Sequence, residues 1–257
     1  MKRIFGIATL AAISFHHAHC QEIAKTPAFE VASITPCKPG TPEPPGEHMG
    51  MFQFTYPGGR LDAKATTVKF LFEWAYGILP AQHSSGPAWF STDRYDFVAK
   101  APGNATDAEI KLMTRALLSD RFHLTIHREE KELSVLIVTA GKSAPKLYPP
   151  KDGEVRSLHV TPQAGAFHIV ATRFTLTQLL DVFARQLTLV ILDQTGLEGG
   201  FDFAFDLTPD ENSPNPLDAT HVISAMQSEL GLTLKSQKAP VDYYVIDGAD
   251  KVTAGNE

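Results

Sequence analysis

The sequence contains little cysteine. Among its 257 residues only Cys20 and Cys37 are cysteines, so a small scaffold held by disulfides is excluded. We predict that residues 1–20 are cleaved off as a leader peptide, which leaves Cys37 as a lone thiol beside the end of a predicted strand. The fold must therefore rest on hydrophobic burial and backbone pairing.

Long apolar runs and basic blocks are also missing. After the first twenty residues, no stretch approaches the ~20 apolar residues that cross a bilayer as a helix. The 23 Lys and Arg residues are outnumbered by 29 Asp and Glu residues, which gives a formal net charge of −6. Nucleic-acid binding depends on clustered cations. We therefore expect no nucleic-acid partner and no membrane span.

Local catalytic motifs are absent as well. The chain has no Gly-x-Ser-x-Gly elbow and no His-Glu-x-x-His helix. Gly58-Gly59 and Gly199-Gly200 lack the pattern of a phosphate loop. We predict no cofactor and assign no catalytic residue. Whether the protein is an enzyme stays open, with a non-enzymatic role favoured.

Two histidines and two aspartates are the residues most suggestive of polar chemistry. His123 and His127 lie four apart, and no third ligand accompanies them. We therefore interpret them as solvent-facing side chains on one face of a hairpin strand and expect no metal. Asp96 and Asp202 hold matching places in the two halves of the chain. They are either paired carboxylates or, as we favour, solvent-facing residues with a symmetric role.

Trp89 is the single candidate for a ligand-binding side chain. It stands in an aromatic segment, Gly86-Pro87-Ala88-Trp89-Phe90, which we predict to be a tight loop. An indole there can stack against a ligand or close over a hydrophobic core.

The N-terminus has the form of a secretory signal peptide. Lys2 and Arg3 precede an apolar segment, and Ala18-His19-Cys20 offers small residues at positions −3 and −1 of a cleavage site. We predict that residues 1–20 are removed before Gln21, which exports the mature protein to the periplasm or beyond. The alternative is a lipoprotein acylated at Cys20, a site that His19 fits poorly.

A unit that occurs twice predicts the architecture. A helical segment over 67–72 is followed by Tyr95-Asp96-Phe97, and a helical segment over 175–180 is followed by Phe201-Asp202-Phe203. Because the matches keep chain order, we interpret them as a duplication, with convergent α+β patterning as the alternative. Superposition of the halves should place Tyr95 on Phe201 and Leu124 on Leu232.

The duplication sets the predicted boundaries. A first α+β repeat spans 21–144, a linker rich in Lys, Pro and Gly spans 145–157, a second repeat spans 158–250, and a disordered tail spans 251–257. Each repeat is predicted as a small, mainly antiparallel sheet with two helices, which makes the fold class α+β.

Capping residues locate several helix ends. Thr67 is a good N-cap for a helix over 68–76 that Gly77 ends. Thr106 opens a second helix through a capping box with Glu109, and Asn215 is a candidate cap for a later one. The predicted core face of the first helix is Phe70, Leu71, Trp74 and Ala75. The predicted core stripe of the second is Ile110, Met113, Leu117 and Leu118.

Two predictions concern strands. Phe97 and Phe203 each share a strand face with the aromatic residue two positions earlier, so we expect both to be buried. Residues 122–128 and 133–139 are expected to form a hairpin around the charged residues 129–132.

Six segments carry a family resemblance. They are Phe29-Glu30-Val31-Ala32-Ser33-Ile34, Gly86-Pro87-Ala88-Trp89, Tyr95-Asp96-Phe97, Leu117-Leu118-Ser119-Asp120-Arg121-Phe122, Asp193-Gln194-Thr195-Gly196-Leu197 and Val245-Ile246-Asp247. Together they resemble the "soil-associated" family of secreted bacterial proteins, for which no activity is established. Relatives of this domain are sometimes joined to antibiotic-sensor metallopeptidases of the BlaR type, which implies a sensing or binding role outside the cytoplasm.

Each half is also similar to the short N-terminal domain of secretins and TonB-dependent transducers. That likeness rests on a helix, a strand and the run Leu230-Gly231-Leu232-Thr233-Leu234 before a closing strand.

These observations favour an exported, non-enzymatic binding or interaction module of the cell envelope. Its partner is then an envelope protein or a small ligand. The alternative is a periplasmic hydrolase with a His or Asp between the two repeats. A pocket with converging titratable groups favours the enzyme, and a bare sheet edge or an apolar patch favours the binding module.

Overall fold

The computed structural model describes residues 27–44, 54–142, 145–163, 165–209 and 219–252. The predicted signal peptide, most of the predicted tail and the candidate cap at Asn215 lie outside these residues. The helices are α1 (Val68–Tyr76), α2 (Ala88–Thr92), α3 (Asp107–Phe122), α4 (Leu176–Leu187) and α5 (Ala219–Ser228). None of the helices in this part of the chain is long and apolar enough to cross a membrane.

Ten strands form three small, mostly antiparallel sheets across the described residues, which confirms the α+β class. The strands before the middle of the chain are β1 (Val31–Pro36), β2 (Thr55–Tyr56), β3 (Arg60–Thr67), β4 (Arg94–Lys100) and β5 (Thr125–Ala140). Those after it are β6 (Ser157–Gln163), β7 (Ala166–Thr175), β8 (Val190–Asp193), β9 (Gly200–Leu207) and β10 (Leu232–Gly248).

Two of the sheets have a similar arrangement. Their strand orders are β1-β4-β3-β2 and β6-β7-β9, and β3 and β7 lead directly into α1 and α4. Both ladders shift register before the helix, between Ala63 and Thr66 in β3 and between Ala171 and Phe174 in β7. Each sheet therefore carries a bulge just before its helix.

An aspartate holds each bulge. Ala65 and Arg173 have φ angles of 48° and 50°, a left-handed conformation that is uncommon outside glycine. The Ala65 N–H donates to Asp96 Oδ1 at 2.8 Å, and the Arg173 N–H donates to Asp202 Oδ1 at 2.9 Å. Each carboxylate thus binds the backbone of its own sheet.

The third sheet connects the two halves. β5 and β10 pair antiparallel along nearly their whole length, from Leu232 opposite Ala140 to Gly248 opposite Thr125. β8 adds to β5 in parallel, and a parallel bridge joins His83 to Tyr244 of β10. The last strand of each half is therefore flanked by a segment from the other half.

The predicted hairpin around 129–132 is wrong, because residues 125–140 form one uninterrupted strand. Four successive charged residues suggested a turn. They are exposed where β5 passes from one core to the other, and β10 supplies their backbone partners, with Glu130 opposite Asp242. Ladder hydrogen bonds join backbone groups, so tertiary pairing overrides the local pattern here.

Each hydrophobic core contains residues from both halves. The core around α1 and α3 is completed by Tyr244 and Ile246 of β10. The core around α4 and α5 includes Leu136 and Val138 of β5. The core around α1 and α3 therefore depends on β10, and the core around α4 and α5 depends on β5.

The predicted helix ends are confirmed. Thr67 accepts a hydrogen bond from the Phe70 N–H, Gly77 ends α1 in the left-handed conformation, and Thr106 and Glu109 form the capping box of α3. The core stripe of α3 is buried as predicted. In α1, Leu71 and Ala75 are buried, but Phe70 and Trp74 are only half-buried, while Phe72 and Glu73 are buried instead.

Phe97 and Phe203 are both buried, as predicted, with exposures of 0 % and 3 %. We expect Phe97→Ala and Phe203→Ala each to cost about 3–5 kcal/mol in free energy of unfolding, because each leaves a cavity in a packed core. Urea unfolding measures this cost. Leu112→Ala is the matched control, since Leu112 is exposed; a cost for either phenylalanine no larger than that of the control would contradict the prediction.

Candidate functional site

A cluster of charged side chains lies buried between the two halves. The Glu73 side chain of α1 and the His83 side chain are each only 2 % exposed, with Glu73 Oε1 3.0 Å from His83 Nε2. Arg185 of α4 donates from Nη1 to Glu73 Oε2 at 2.6 Å and from Nη2 to the Ile78 carbonyl oxygen at 3.3 Å. The cluster thus ties α1 and the segment after it to α4.

The hydrogen bonds indicate where the protons lie. His83 Nδ1 is 2.7 Å from the Ser84 carbonyl oxygen, which can only accept, so Nδ1 carries a hydrogen. The contact between Nε2 and Glu73 needs one further proton. The Arg185 guanidinium binds the other oxygen of the same carboxyl group, so one carboxyl group joins the two basic side chains.

This cluster has little room for a substrate. Both oxygens of Glu73 and both ring nitrogens of His83 are occupied by protein partners. Phe72 packs edge-on against the imidazole, with ring centroids 5.4 Å apart. Asp181 of α4 occupies the position that matches Glu73 of α1, six residues after the helix N-cap. Unlike Glu73, Asp181 is exposed. The converging groups are therefore arranged to hold the halves together.

We expect Glu73→Gln to lower the free energy of unfolding by about 3–5 kcal/mol, because it leaves the partly buried guanidinium of Arg185 without its carboxylate and changes the hydrogen bond to the buried His83. Lys69→Gln is the matched control. Lys69 Nζ is 3.8 Å from the same carboxylate, but its side chain is 35 % exposed, so its loss should cost under about 1 kcal/mol. Denaturant unfolding at pH 7 compares them, and equal costs would contradict the interpretation.

An open cleft of about 430 Å³ lies where β1 meets the segment that follows β10. Its lining consists of Ala32, Ser33, Ile34, Arg121, His123, Asp250, Lys251 and Val252. The Asp250 N–H donates to the Phe122 carbonyl oxygen at 2.7 Å, which fixes the segment against the end of α3. Burial raises the pKa of Tyr95 to about 12, and its neutral hydroxyl donates to the Val252 carbonyl oxygen at 3.4 Å.

One backbone edge of β1 faces this cleft. The Cys37 N–H donates to the Arg94 carbonyl oxygen at 2.8 Å, and hydrogen-bonded and free positions alternate along an antiparallel strand. Ala32 and Ile34 therefore direct their N–H and C=O groups away from β4. No strand in the described part of the chain pairs with that side of β1.

The histidines of the predicted site have separate partners. His123 ends α3 rather than lying on a strand, and its Nδ1 is 3.0 Å from Asp250 Oδ2. His127 lies on β5, with Nδ1 2.9 Å from Asp247, and that hydrogen bond raises the pKa of His127. Across the described residues, no group of three or more His, Cys, Asp or Glu side chains is placed to hold a metal ion.

That His123 and His127 bind no metal stays a prediction. Each imidazole has its own exposed carboxylate partner, so neither is preorganised with the other around one ion. Elemental analysis of untagged protein should find no stoichiometric zinc. Zinc that disappears in the His123→Ala, His127→Ala double variant would contradict the prediction.

Trp89 and Cys37 lie in structural surroundings. Trp89 is in the short helix α2, not in a loop, and stacks on Phe122 with ring centroids 6.0 Å apart and an interplanar angle of 20°. It does not line the cleft, and its contact with a ligand stays a prediction. Burial and the nearby Asp96 raise the pKa of the Cys37 thiol, which makes it a weak nucleophile.

Sequence reasoning missed both the buried cluster and the cleft. Glu73 was the only detectable signal, as an acidic residue among the apolar residues of α1. Its partners His83 and Arg185 lie 10 and 112 positions further along the chain. The cleft joins β1 to residues after β10, and most of the sequence lies between these two segments.

Comparison with known proteins identifies a family. Residues 69–249 match a family model described as "Protein of unknown function (DUF3738)", and the chain belongs to this family. No curated protein and no solved structure gives a significant match.

Proposed function

We propose that this member of the family is an exported, non-enzymatic binding module whose site is the cleft at β1. The observation that carries the proposal is that one edge of β1, within an open cleft, has no paired strand among the described residues. A strand edge offers backbone donors and acceptors to a partner. A cleft of this size can also hold a small ligand.

The alternative, a hydrolase with a site between the halves, has weaker support. Glu73 and His83 are the converging titratable pair at that interface, and they are buried and already hydrogen-bonded to each other. A general base must reach a substrate proton. Catalysis by this pair would require the two halves to separate.

Export supports the same proposal. Residues 1–20 have the charged start, apolar centre and small residues of a cleaved leader. We propose cleavage before Gln21, which leaves Cys37 as the only cysteine. The resemblance to secreted soil-associated proteins agrees with a periplasmic or extracellular location.

We also propose that the two halves arose by duplication. The Thr N-cap, the bulge before it and the aspartate that binds the bulge occur in each half. The last strands of the halves pair with each other. A single ancestral unit could have associated with a second copy through this strand.

Site-specific crosslinking in cells tests the binding function. A photo-crosslinking amino acid replaces Ser33, which lines the cleft, or Thr161, an exposed residue of the edge strand β6. We expect irradiation to give one discrete adduct at position 33 and none at position 161. Intact-mass spectrometry detects either a protein or a small ligand. No adduct at position 33, or the same adducts at both positions, would contradict the proposal.

A further inference from the structure

We propose that a depression on the outer face of the β1-β4-β3-β2 sheet binds a small apolar carboxylate, such as a medium-chain fatty acid, with Lys100 as its counterion. The depression has a volume of about 410 Å³, which is within the usual range for small-molecule sites. Its described lining residues differ from those of the cleft at β1. This site is therefore additional to the one on which the proposed function rests.

The register of three strands builds the floor of the depression. Lys100 of β4 lies opposite Val31 of β1 on one side and opposite Arg60 of β3 on the other. Residues directly opposite one another direct their side chains to the same face of a sheet. Val98 stands two positions before Lys100 and shares that face. It is the outer face, because the adjacent Phe97 is buried in the core.

Much of the lining is apolar. Val31 is 66 % exposed. A single exposed valine on a protein surface is ordinary, but Val31 lies in a concave surface together with Val98 and Pro57. An apolar group seated there would remove the valine side chain from water, which is favourable.

Among the described residues of the lining, Lys100 is the one cation without a carboxylate partner. The other, Arg60, forms an ion pair with Asp62. Lys64, further along β3, lies near both Asp62 and Asp96. In this part of the chain no ion pair joins Lys100 to another side chain. One unpaired ammonium group beside apolar side chains is complementary to an apolar molecule with a single negative charge.

Three eight-carbon probes separate the two requirements on the protein of residues 21–257: octanoate, octan-1-ol and octylammonium. Because their alkyl chains are identical, differences in affinity report the head group. We expect NMR titration at pH 7 to show that octanoate binds about two- to fivefold more tightly than octan-1-ol, as one exposed ion pair allows. Octylammonium should bind more weakly than either.

Protein variants are compared with controls of the same kind. Lys100→Gln should weaken octanoate about two- to fivefold and leave octan-1-ol unchanged. Lys142→Gln, at an exposed residue outside the depression, should change neither. Val31→Ser should weaken both probes about threefold, because it removes apolar contact. Val155→Ser is its control, at a valine that is 82 % exposed and outside the depression.

Amide chemical shifts locate the site. We expect octanoate to shift the signals of Gly58 and Val98, which line the depression, and not that of Asp250 in the cleft. Equal affinity for the three probes, an unchanged affinity in Lys100→Gln, or shifts confined to the cleft would each overturn the inference. The proposed binding function is judged separately, by crosslinking at Ser33 of the cleft.

Discussion

The antiparallel pairing of β5 with β10 is the constraint on which the rest of the structure depends. Each strand is long enough to serve both cores, and each contributes side chains to the core of the other half. Folding either core therefore requires contacts between residues far apart in the sequence, such as Val138 opposite Leu234 and Ile126 opposite Ile246. The pairing also carries the chain back to β1, because the segment that follows β10 lines the cleft beside that strand.

The buried Glu73 cluster adds specificity to this arrangement. Sheet pairing alone leaves the angle between α1 and α4 free to vary, and apolar side chains pack in more than one way. The hydrogen bonds that join Arg185 and His83 to the carboxyl group of Glu73 are directional. Burial of such a group costs free energy unless every partner is present, so alternative packings of the two helices are disfavoured.

Local sequence signals predicted the local structure well. The caps at Thr67 and Thr106 and the core stripe of α3 depend on residues within one or two turns. The turn predicted at the charged segment 129–132 was wrong, because pairing with β10 imposes a strand conformation there. The Glu73 cluster could not be predicted, because a single acidic residue in α1 says nothing of partners in α4 or after α1. Even the core face of α1 was only half correct, since this helix packs on more than one side.

The edge of β1 that pairs with no strand in the described part of the chain is limited in length. An unprotected edge strand invites uncontrolled pairing, and proteins commonly shorten or interrupt such edges. Here Pro36 withholds a donor at one end of β1, and charged residues of the cleft flank the inner face. These features oppose pairing with a long apolar strand and limit the edge to the backbone groups of Ala32 and Ile34. It is this short edge on which the proposed binding function rests.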